Sequence, residues 1–116
     1  MKRVVIALGS ACRQSVHIQW ATSFLMSLLS DVSQSHAIWT RDIKGGSRWY
    51  MNRLVAGNTD MSYDELQDVL KDAEKRTDRS KENITIDLDI LQYDGERHHL
   101  SDWNRPYVQQ LIDYVI

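Results

Sequence analysis

The chain has 116 residues and a mass of 13.5 kDa, enough for one hydrophobic core and too little for a second. Hydrophobic residues make up 42% and charged residues 26% of the sequence, a balance that excludes a disordered or fibrous chain. Because 14 basic residues face 16 acidic ones, the net charge of -2 also argues against a dedicated nucleic-acid-binding module. We therefore expect a single domain over residues 1–116 with no nucleic-acid partner.

The cysteine content and the N-terminal segment indicate the cellular compartment in which the protein is expected. Cys12 is the only cysteine, so an internal disulfide cannot form, and a reducing environment suits the chain. The apolar run over residues 4–8 is shorter than the roughly 7–15 apolar residues of an export signal. No segment approaches the roughly 18 apolar residues of a membrane span. We expect a cytoplasmic protein with no membrane partner.

The first half of the chain predicts the element order β-α-β-β. Residues 4–8 are continuously apolar and rich in β-branched side chains, which is typical of a strand buried on both faces. Apolar residues at spacings of three and four predict an amphipathic helix over 14–29. Two further strands are predicted over 33–41 and 49–56, and a pair of glycines predicts a loop over 42–47 between them.

The second half predicts the order α-β-α. Ser62 and Glu65 have the spacing of a capping box, so a second helix is predicted to begin there. The polar segment 77–83 predicts a loop. Alternation of apolar and polar residues predicts a strand over 84–91, followed by an Asp-Gly turn. A last helix is predicted from about Asn104, with a proline in its first turn.

The combined order β-α-β-β-α-β-α is that of the split β-α-β arrangement, which forms an antiparallel sheet. We therefore predict an α+β, ferredoxin-like domain with its first two helices on one face of the sheet and an additional C-terminal helix. The other face of the sheet is expected to remain available for a site.

Two acidic residues occupy successive outward positions of the strand predicted over 84–91. Because side chains alternate along a strand, Asp87 and Asp89 should share one face, roughly 7 Å apart. A divalent cation would relieve their repulsion, and Mg²⁺ prefers a few carboxylates together with phosphate and water oxygens. A magnesium–nucleotide site is one interpretation. The other is a solvated polar face, which is routine in antiparallel sheets.

Five short motifs occur along the chain. They are Ala7-Leu8-Gly9-Ser10, Tyr50-Met51-Asn52, Glu74 followed by Arg79, Ile86-Asp87-Leu88-Asp89-Ile90-Leu91 and Arg105-Pro106-Tyr107-Val108. In type and order they resemble the 6-hydroxymethyl-7,8-dihydropterin pyrophosphokinases of folate biosynthesis, a family of small ferredoxin-like α+β enzymes. The corresponding family motifs read Ala-Leu-Gly-Ser-Asn, Tyr-Leu-Asn, Ile-Asp-Leu-Asp-Ile-Leu and Arg-x-Phe-Val. Each motif is short, and their shared order carries the resemblance.

The resemblance implies an enzyme that transfers pyrophosphate from ATP to 6-hydroxymethyl-7,8-dihydropterin and releases AMP. Asp87 and Asp89 would hold two Mg²⁺ ions that bridge the ATP phosphates, and Arg79 would join them in catalysis. Asn52 and Tyr50 would bind the pterin. The residues implied in nucleotide binding are Glu74, Arg79, His99 and Arg105. Besides ATP and the pterin no partner is expected, and the protein would be a monomer or a weak homodimer.

The sequence departs from the family pattern close to the substrates. Ala11 replaces the Asn of the first motif, and Ile84 replaces an Arg that precedes the first metal Asp by three residues. The segment between Arg79 and Asp87 is shortened, and the Pro-His pair before the last helix is absent, with His99 as its substitute. One alternative is therefore a domain that has lost catalysis and binds a pterin, a nucleotide or a protein partner. Another is a ferredoxin-like regulatory domain for a different small metabolite.

Aromatic residues near the predicted loops leave two interpretations open. Trp39, Trp49 and Trp103 could stack on a pterin ring, or they could serve only to pack strands. His98 and His99 are not expected to form a metal pair, because neighbouring side chains on an extended segment diverge.

Overall fold

A six-stranded antiparallel sheet forms the centre of the computed structural model, which describes residues 1–42 and 45–116. Its strands are, in chain order, β1 (Lys2–Ser10), β2 (Ser30–Gln34), β3 (Ile38–Arg41), β4 (Trp49–Thr59), β5 (Asp87–Tyr93) and β6 (Glu96–Arg97). Across the sheet they lie in the order β2-β4-β1-β5-β6, and β3 also pairs with β4. Ile43 and Lys44, which belong to the loop predicted over 42–47, lie outside the described residues.

Three α-helices and two short 3-10 segments complete the described parts of the chain. The helices are α1 (Gln14–Leu28), α2 (Tyr63–Arg76) and α3 (Pro106–Leu111), and the 3-10 segments span Leu100–Asn104 and Ile112–Tyr114. Within residues 1–42 and 45–116, no helix has the length and apolar character needed to cross a membrane.

Alternating side chains along β1 divide the hydrophobic core into two clusters. Val4, Ile6 and Leu8 pack with buried residues of α1 and α2 on one face of the sheet. Val5 and Ala7 pack on the other face with the first 3-10 segment and α3. The predicted α+β, ferredoxin-like fold with two helices on one face and an additional C-terminal helix is therefore confirmed. The C-terminal segment covers part of the face that was expected to remain open.

The capping box predicted for the second helix is present at the N-terminus of α2. The Ser62 hydroxyl accepts a hydrogen bond from Glu65 N (3.2 Å), and the Glu65 carboxylate accepts one from Ser62 N (3.0 Å). These bonds favour the ionised carboxylate, so they lower the pKa of Glu65. Local sequence alone accounts for the point at which α2 begins.

The strand predicted over 33–41 is wrong as a single element, because the structure divides it into β2 and β3. Ser35 lies at the break and is buried. Its backbone N–H donates to Leu54 O (2.9 Å), and its hydroxyl accepts a hydrogen bond from Leu54 N (3.0 Å). Because a side-chain oxygen replaces a backbone carbonyl here, both pieces pair with β4 without forming one continuous strand.

The fourth predicted strand, over 84–91, forms a strand only from Asp87 onward. The residues before Asp87 are held by isolated hydrogen bonds, one of them from Ala11 N to Ile84 O (2.9 Å), instead of a ladder. Thr85 N donates to Asn83 O (3.0 Å), and the hydroxyls of Thr85 and Thr77 are hydrogen-bonded (2.7 Å). The predicted Asp-Gly turn follows β5 and leads into β6, a short strand that the pattern did not predict.

The last helix begins later than predicted. Arg105, rather than Asn104, is the N-cap of α3, and it adopts an extended conformation with φ −71° and ψ 138°. Pro106 disfavours the helical region for the residue before it, so residues 100–104 form a separate 3-10 segment and α3 begins at Pro106.

Candidate active site

A cleft of about 420 Å³ opens on the same face of the sheet as α3. It is lined by the end of β1, the beginnings of β4 and β5, the loops that precede these two strands, and the N-terminal end of α3. Both β4 and β5 run antiparallel to β1. Their first residues therefore meet at the end of β1, and the two loops border the same end of the cleft.

The floor of the cleft is a row of three paired residues. Gly9 in β1 pairs with Asn52 on one side and with Asp87 on the other. A Cβ atom added at Gly9 would lie 3.4 Å from Asn52 Oδ1 and 3.9 Å from Tyr50 Cδ2. The absent side chain at Gly9 thus leaves open the space between the amide of Asn52 and the carboxylates of β5.

The β4 side of the cleft presents an oriented amide and an aromatic ring. Asn52 is only 4% exposed, and its Nδ2 donates to Thr40 Oγ1 (2.6 Å). This bond fixes the amide so that Oδ1 faces the space above Gly9. Tyr50, two residues earlier on the same face, is half-buried beside it. Together they suit a flat heterocycle that has hydrogen-bond donors along one edge.

The β5 side of the cleft presents two carboxylates. Asp87 and Asp89 both line it and are 37% and 26% exposed, whereas Leu88 between them belongs to the opposite core cluster. Burial, and next the negative charge of Asp87, raise the pKa of Asp89 to about 6. The carboxylates are thus held close together and partly out of water. A divalent cation would relieve this destabilisation, so the pair fits Mg²⁺.

The described residues contain no group of three or more His, Cys, Asp and Glu side chains that could hold a metal ion. A cation at Asp87 and Asp89 would therefore need further oxygen ligands from water or from a bound substrate. Mg²⁺ is commonly held in this way, by one or two carboxylates together with phosphate oxygens.

Positive side chains border the carboxylates. Arg79 lines the cleft with Nη2 3.5 Å from Asp87 Oδ1 and Nη1 3.6 Å from Glu74 Oε1. Arg105 lines it from the α3 side, where its guanidinium lies 4.7 Å from the centre of the Tyr107 ring. Guanidinium groups bind phosphate oxygens through paired N–H donors, so this end of the cleft suits a phosphorylated ligand.

Two residues implied in nucleotide binding lie outside the described lining of the cleft. Glu74 is 3% exposed, and its Oε2 accepts a hydrogen bond from Leu88 N (2.7 Å) behind β5. Burial raises the pKa of Glu74. His99 lies beyond the other carboxylate, with Nε2 4.0 Å from Asp89 Oδ1. Glu74 therefore reaches the cleft through Arg79, and His99 reaches it through Asp89.

The aromatic side chains that line the described cleft are Tyr50 and Tyr107, not the tryptophans. Trp103 packs in the core beneath the C-terminal segment, and Trp39 and Trp49 are exposed outside the lining. Burial raises the pKa of Tyr107 to about 12, so its hydroxyl stays protonated. No role was predicted for Tyr107, although its place beside Arg105 and Pro106 in one of the motifs was the available signal.

A family model described as 7,8-dihydro-6-hydroxymethylpterin-pyrophosphokinase matches residues 5–114, a span that includes every residue of the cleft. None of the curated proteins compared with the chain matches it.

Proposed function

Because the chain belongs to the 7,8-dihydro-6-hydroxymethylpterin-pyrophosphokinase family, we propose that it transfers pyrophosphate from ATP to 6-hydroxymethyl-7,8-dihydropterin and releases AMP. One observation carries this proposal: a single cleft places an oriented amide at one side and two carboxylates at the other. A pterin and the phosphates of ATP need these two chemistries, and transfer requires both substrates to meet at one point.

The pterin binds on the β4 side in this proposal. Asn52 Oδ1 accepts a hydrogen bond from the N–H groups at the edge of the pterin, because its own Nδ2 is engaged by Thr40. Tyr50 and Tyr107 provide aromatic surface for the faces of the ring. The open space above Gly9 admits the ring close to the sheet, and the hydroxymethyl group then points toward β5.

The phosphates of ATP bind on the β5 side. Asp87 and Asp89 would hold Mg²⁺, which when bound neutralises and orients the phosphate oxygens. Arg79, held between Asp87 and Glu74, contributes positive charge next to the carboxylates. Arg105 adds a second guanidinium from the other side of the cleft.

In the reaction, the substrate hydroxyl attacks the β-phosphorus of ATP. The new bond joins the hydroxymethyl oxygen to the β-phosphorus, and the bond from that phosphorus to the α–β bridging oxygen breaks. AMP leaves with the bridging oxygen, and the hydroxyl proton passes to solvent. Positioning and charge neutralisation account for most of the catalysis in such transfers, and arginines and aspartates supply both.

A second candidate function is binding of these ligands without turnover. Ile84 lines the cleft on the loop before β5, where it places an apolar side chain next to the phosphate end. An apolar residue there contributes nothing to neutralising charge in the transition state. This observation favours binding without catalysis, and turnover assays separate the two functions.

The test of the proposed function is release of AMP from ATP in the presence of Mg²⁺ and the dihydropterin. We expect AMP formation to require all three and to be lost in Asp87→Asn. Asp94→Asn is a matched control, because Asp94 lies in the exposed turn after β5 and can be replaced by Asn at its positive φ of 50°. Wild-type protein that forms no more AMP than Asp87→Asn would contradict the proposal. Calorimetric binding of both ligands without turnover would then support the second candidate.

A further inference from the structure

Arg48 occupies a defined position at the cleft although no motif points to it. It directly precedes β4, and its backbone O accepts a hydrogen bond from Asp42 N (3.1 Å), just beyond the pairing of Arg41 with Trp49. This bond continues the pairing of β3 with β4 by one step and fixes the backbone from which the Arg48 side chain extends. That side chain is half-buried and lines the cleft.

The Arg48 guanidinium joins two loops that are distant in sequence. Its Nη2 donates to Glu82 O (2.9 Å), in the loop between α2 and β5. Both loops border the cleft at the end of β1, because β4 and β5 begin there. The contact therefore spans the phosphate end of the cleft, where Arg79 and Lys81 also contribute to the lining.

The surroundings of the Arg48 guanidinium differ from those of Arg79 and Arg105, the other two arginines that line the cleft. Arg79 lies within 4.0 Å of two carboxylates, and Arg105 Nη1 lies 3.8 Å from Asp102 Oδ1. Arg48 donates to the backbone carbonyl of Glu82, which has no net charge. A guanidinium has five N–H donors in a planar fork, and this bond uses one of them. Within the described residues, Arg48 thus holds its position through this bond and keeps donors that can bind an anion in the cleft.

We propose that Arg48 is a phosphate-binding residue of this site, which contacts the polyphosphate of the nucleotide while it joins the segment before β4 to the loop before β5. The proposal rests on the proposed function for the identity of the anion, since ATP supplies the polyphosphate. It makes Arg48 specific for the phosphate chain rather than for the adenosine or the pterin.

Calorimetry with Arg48→Ala, Arg48→Lys and Arg41→Ala tests this role. The titrants are a non-hydrolysable ATP analogue, tripolyphosphate and AMP, each with Mg²⁺, and the dihydropterin. Arg41→Ala is the matched control, because the exposed Arg41 guanidinium lies over the Trp49 ring (4.8 Å) outside the cleft lining. We expect Arg48→Ala to weaken binding of the analogue and of tripolyphosphate by about tenfold or more, as for a lost charge-assisted hydrogen bond. Arg48→Lys should restore part of this affinity, since it keeps the charge without the fork.

The outcomes separate the two proposals. Unchanged polyphosphate affinity in Arg48→Ala would overturn the assignment, as would an equal loss for AMP and the pterin, which would indicate only a structural role. An equal loss in Arg41→Ala would also overturn it. Wild-type protein that binds no polyphosphate contradicts both proposals. Binding of tripolyphosphate that depends on Arg48, without any AMP formation from ATP, supports the Arg48 assignment and contradicts the proposed reaction alone.

Discussion

Gly9 and Asn52 are paired across β1 and β4, and a Cβ atom added at Gly9 would lie 3.4 Å from Asn52 Oδ1. This distance is an ordinary van der Waals contact, so the sheet itself tolerates a methyl group at Gly9. The methyl group would nevertheless occupy the space in front of the amide where the pterin is proposed to bind. If the pterin binds there, Gly9 is needed by the ligand rather than by the fold.

We expect Gly9→Ala to leave the thermal midpoint nearly unchanged and to weaken pterin binding by about tenfold or more, on the order of 1.4 kcal/mol. Gly57→Ala is the contrasting variant, because its Cβ would lie 2.7 Å from Leu29 Cβ and 3.2 Å from Ser30 O. That overpacking should cost about 1–3 kcal/mol of stability and leave the pterin affinity of the folded protein unchanged. Thermal melts and calorimetry measure both effects, and the reverse pattern would contradict this account of the cleft.

Asp89→Asn should stabilise the protein at neutral pH while abolishing Mg²⁺-dependent activity. The pKa of Asp89 is raised from 3.8 to about 6 in the folded state, so its charge opposes folding. The resulting loss of stability is absent below about pH 4, develops as the pH rises toward 6, and is complete above it. The variant should therefore exceed the wild type by on the order of 1–2 kcal/mol at pH 7.5, and the difference should vanish at pH 4.

Urea unfolding at the two pH values, without divalent cations, measures this difference. Asp94→Asn, in the exposed turn after β5, provides the comparison for a carboxylate outside the cleft. An Asp89→Asn protein that is less stable than the wild type at pH 7.5 would show that burial and the charge of Asp87 do not destabilise the ionised Asp89 as described.

Trp103→Phe should lower the free energy of unfolding by about 1–3 kcal/mol, because both hydrogen bonds of the indole N–H would be lost. Trp103 Nε1 donates to both Leu91 O and His98 O (3.1 Å each), which attaches the 3-10 segment to β5. Trp39→Phe is the matched control, since Trp39 is 53% exposed and its replacement should change stability by less than about 0.5 kcal/mol. Equal effects in urea unfolding would argue against the role of the indole N–H.

Arg53→Met should leave stability unchanged or raise it by up to about 1 kcal/mol. Arg53 lies on the β4 face that packs against α1, where Nη1 donates to Thr22 Oγ1 (3.2 Å). Its Nε is buried and has no hydrogen-bond partner within the described residues. Arg3→Met is the contrasting variant, because Arg3 Nη1 donates to Asp31 O (2.7 Å), and it should lower stability. A marked loss in Arg53→Met by urea unfolding would indicate that the orphaned N–H costs little.

Much of the fold followed from local pattern. Alternation in β5 predicted which of its side chains face the core, and the capping box predicted where α2 begins. The same alternation predicted that Asp87 and Asp89 share a face. These features depend on residues within one turn or a few strand positions of each other, so the sequence contains their physical cause.

Local pattern did not predict the breaks and starts that depend on partners elsewhere. The division at Ser35 requires the bonds that this residue makes with Leu54 in another strand. The buried position of the Glu74 carboxylate requires the backbone N–H of Leu88, which donates to it from β5. Neither partner lies near in sequence, so composition and periodicity could not indicate them.

The sequence by itself determined the class of fold, the face that carries the acidic pair and, through its motifs, the family. Only the tertiary structure decided which residues meet across the cleft. Tyr107 joins the site because α3 packs on the face of the sheet to which Asp87 and Asp89 point. Arg48 meets Glu82 because β4 and β5, both antiparallel to β1, begin at the same end of β1. Side-chain periodicity specifies a face, whereas strand order and chain direction specify its neighbours, and these arise only when the sheet assembles.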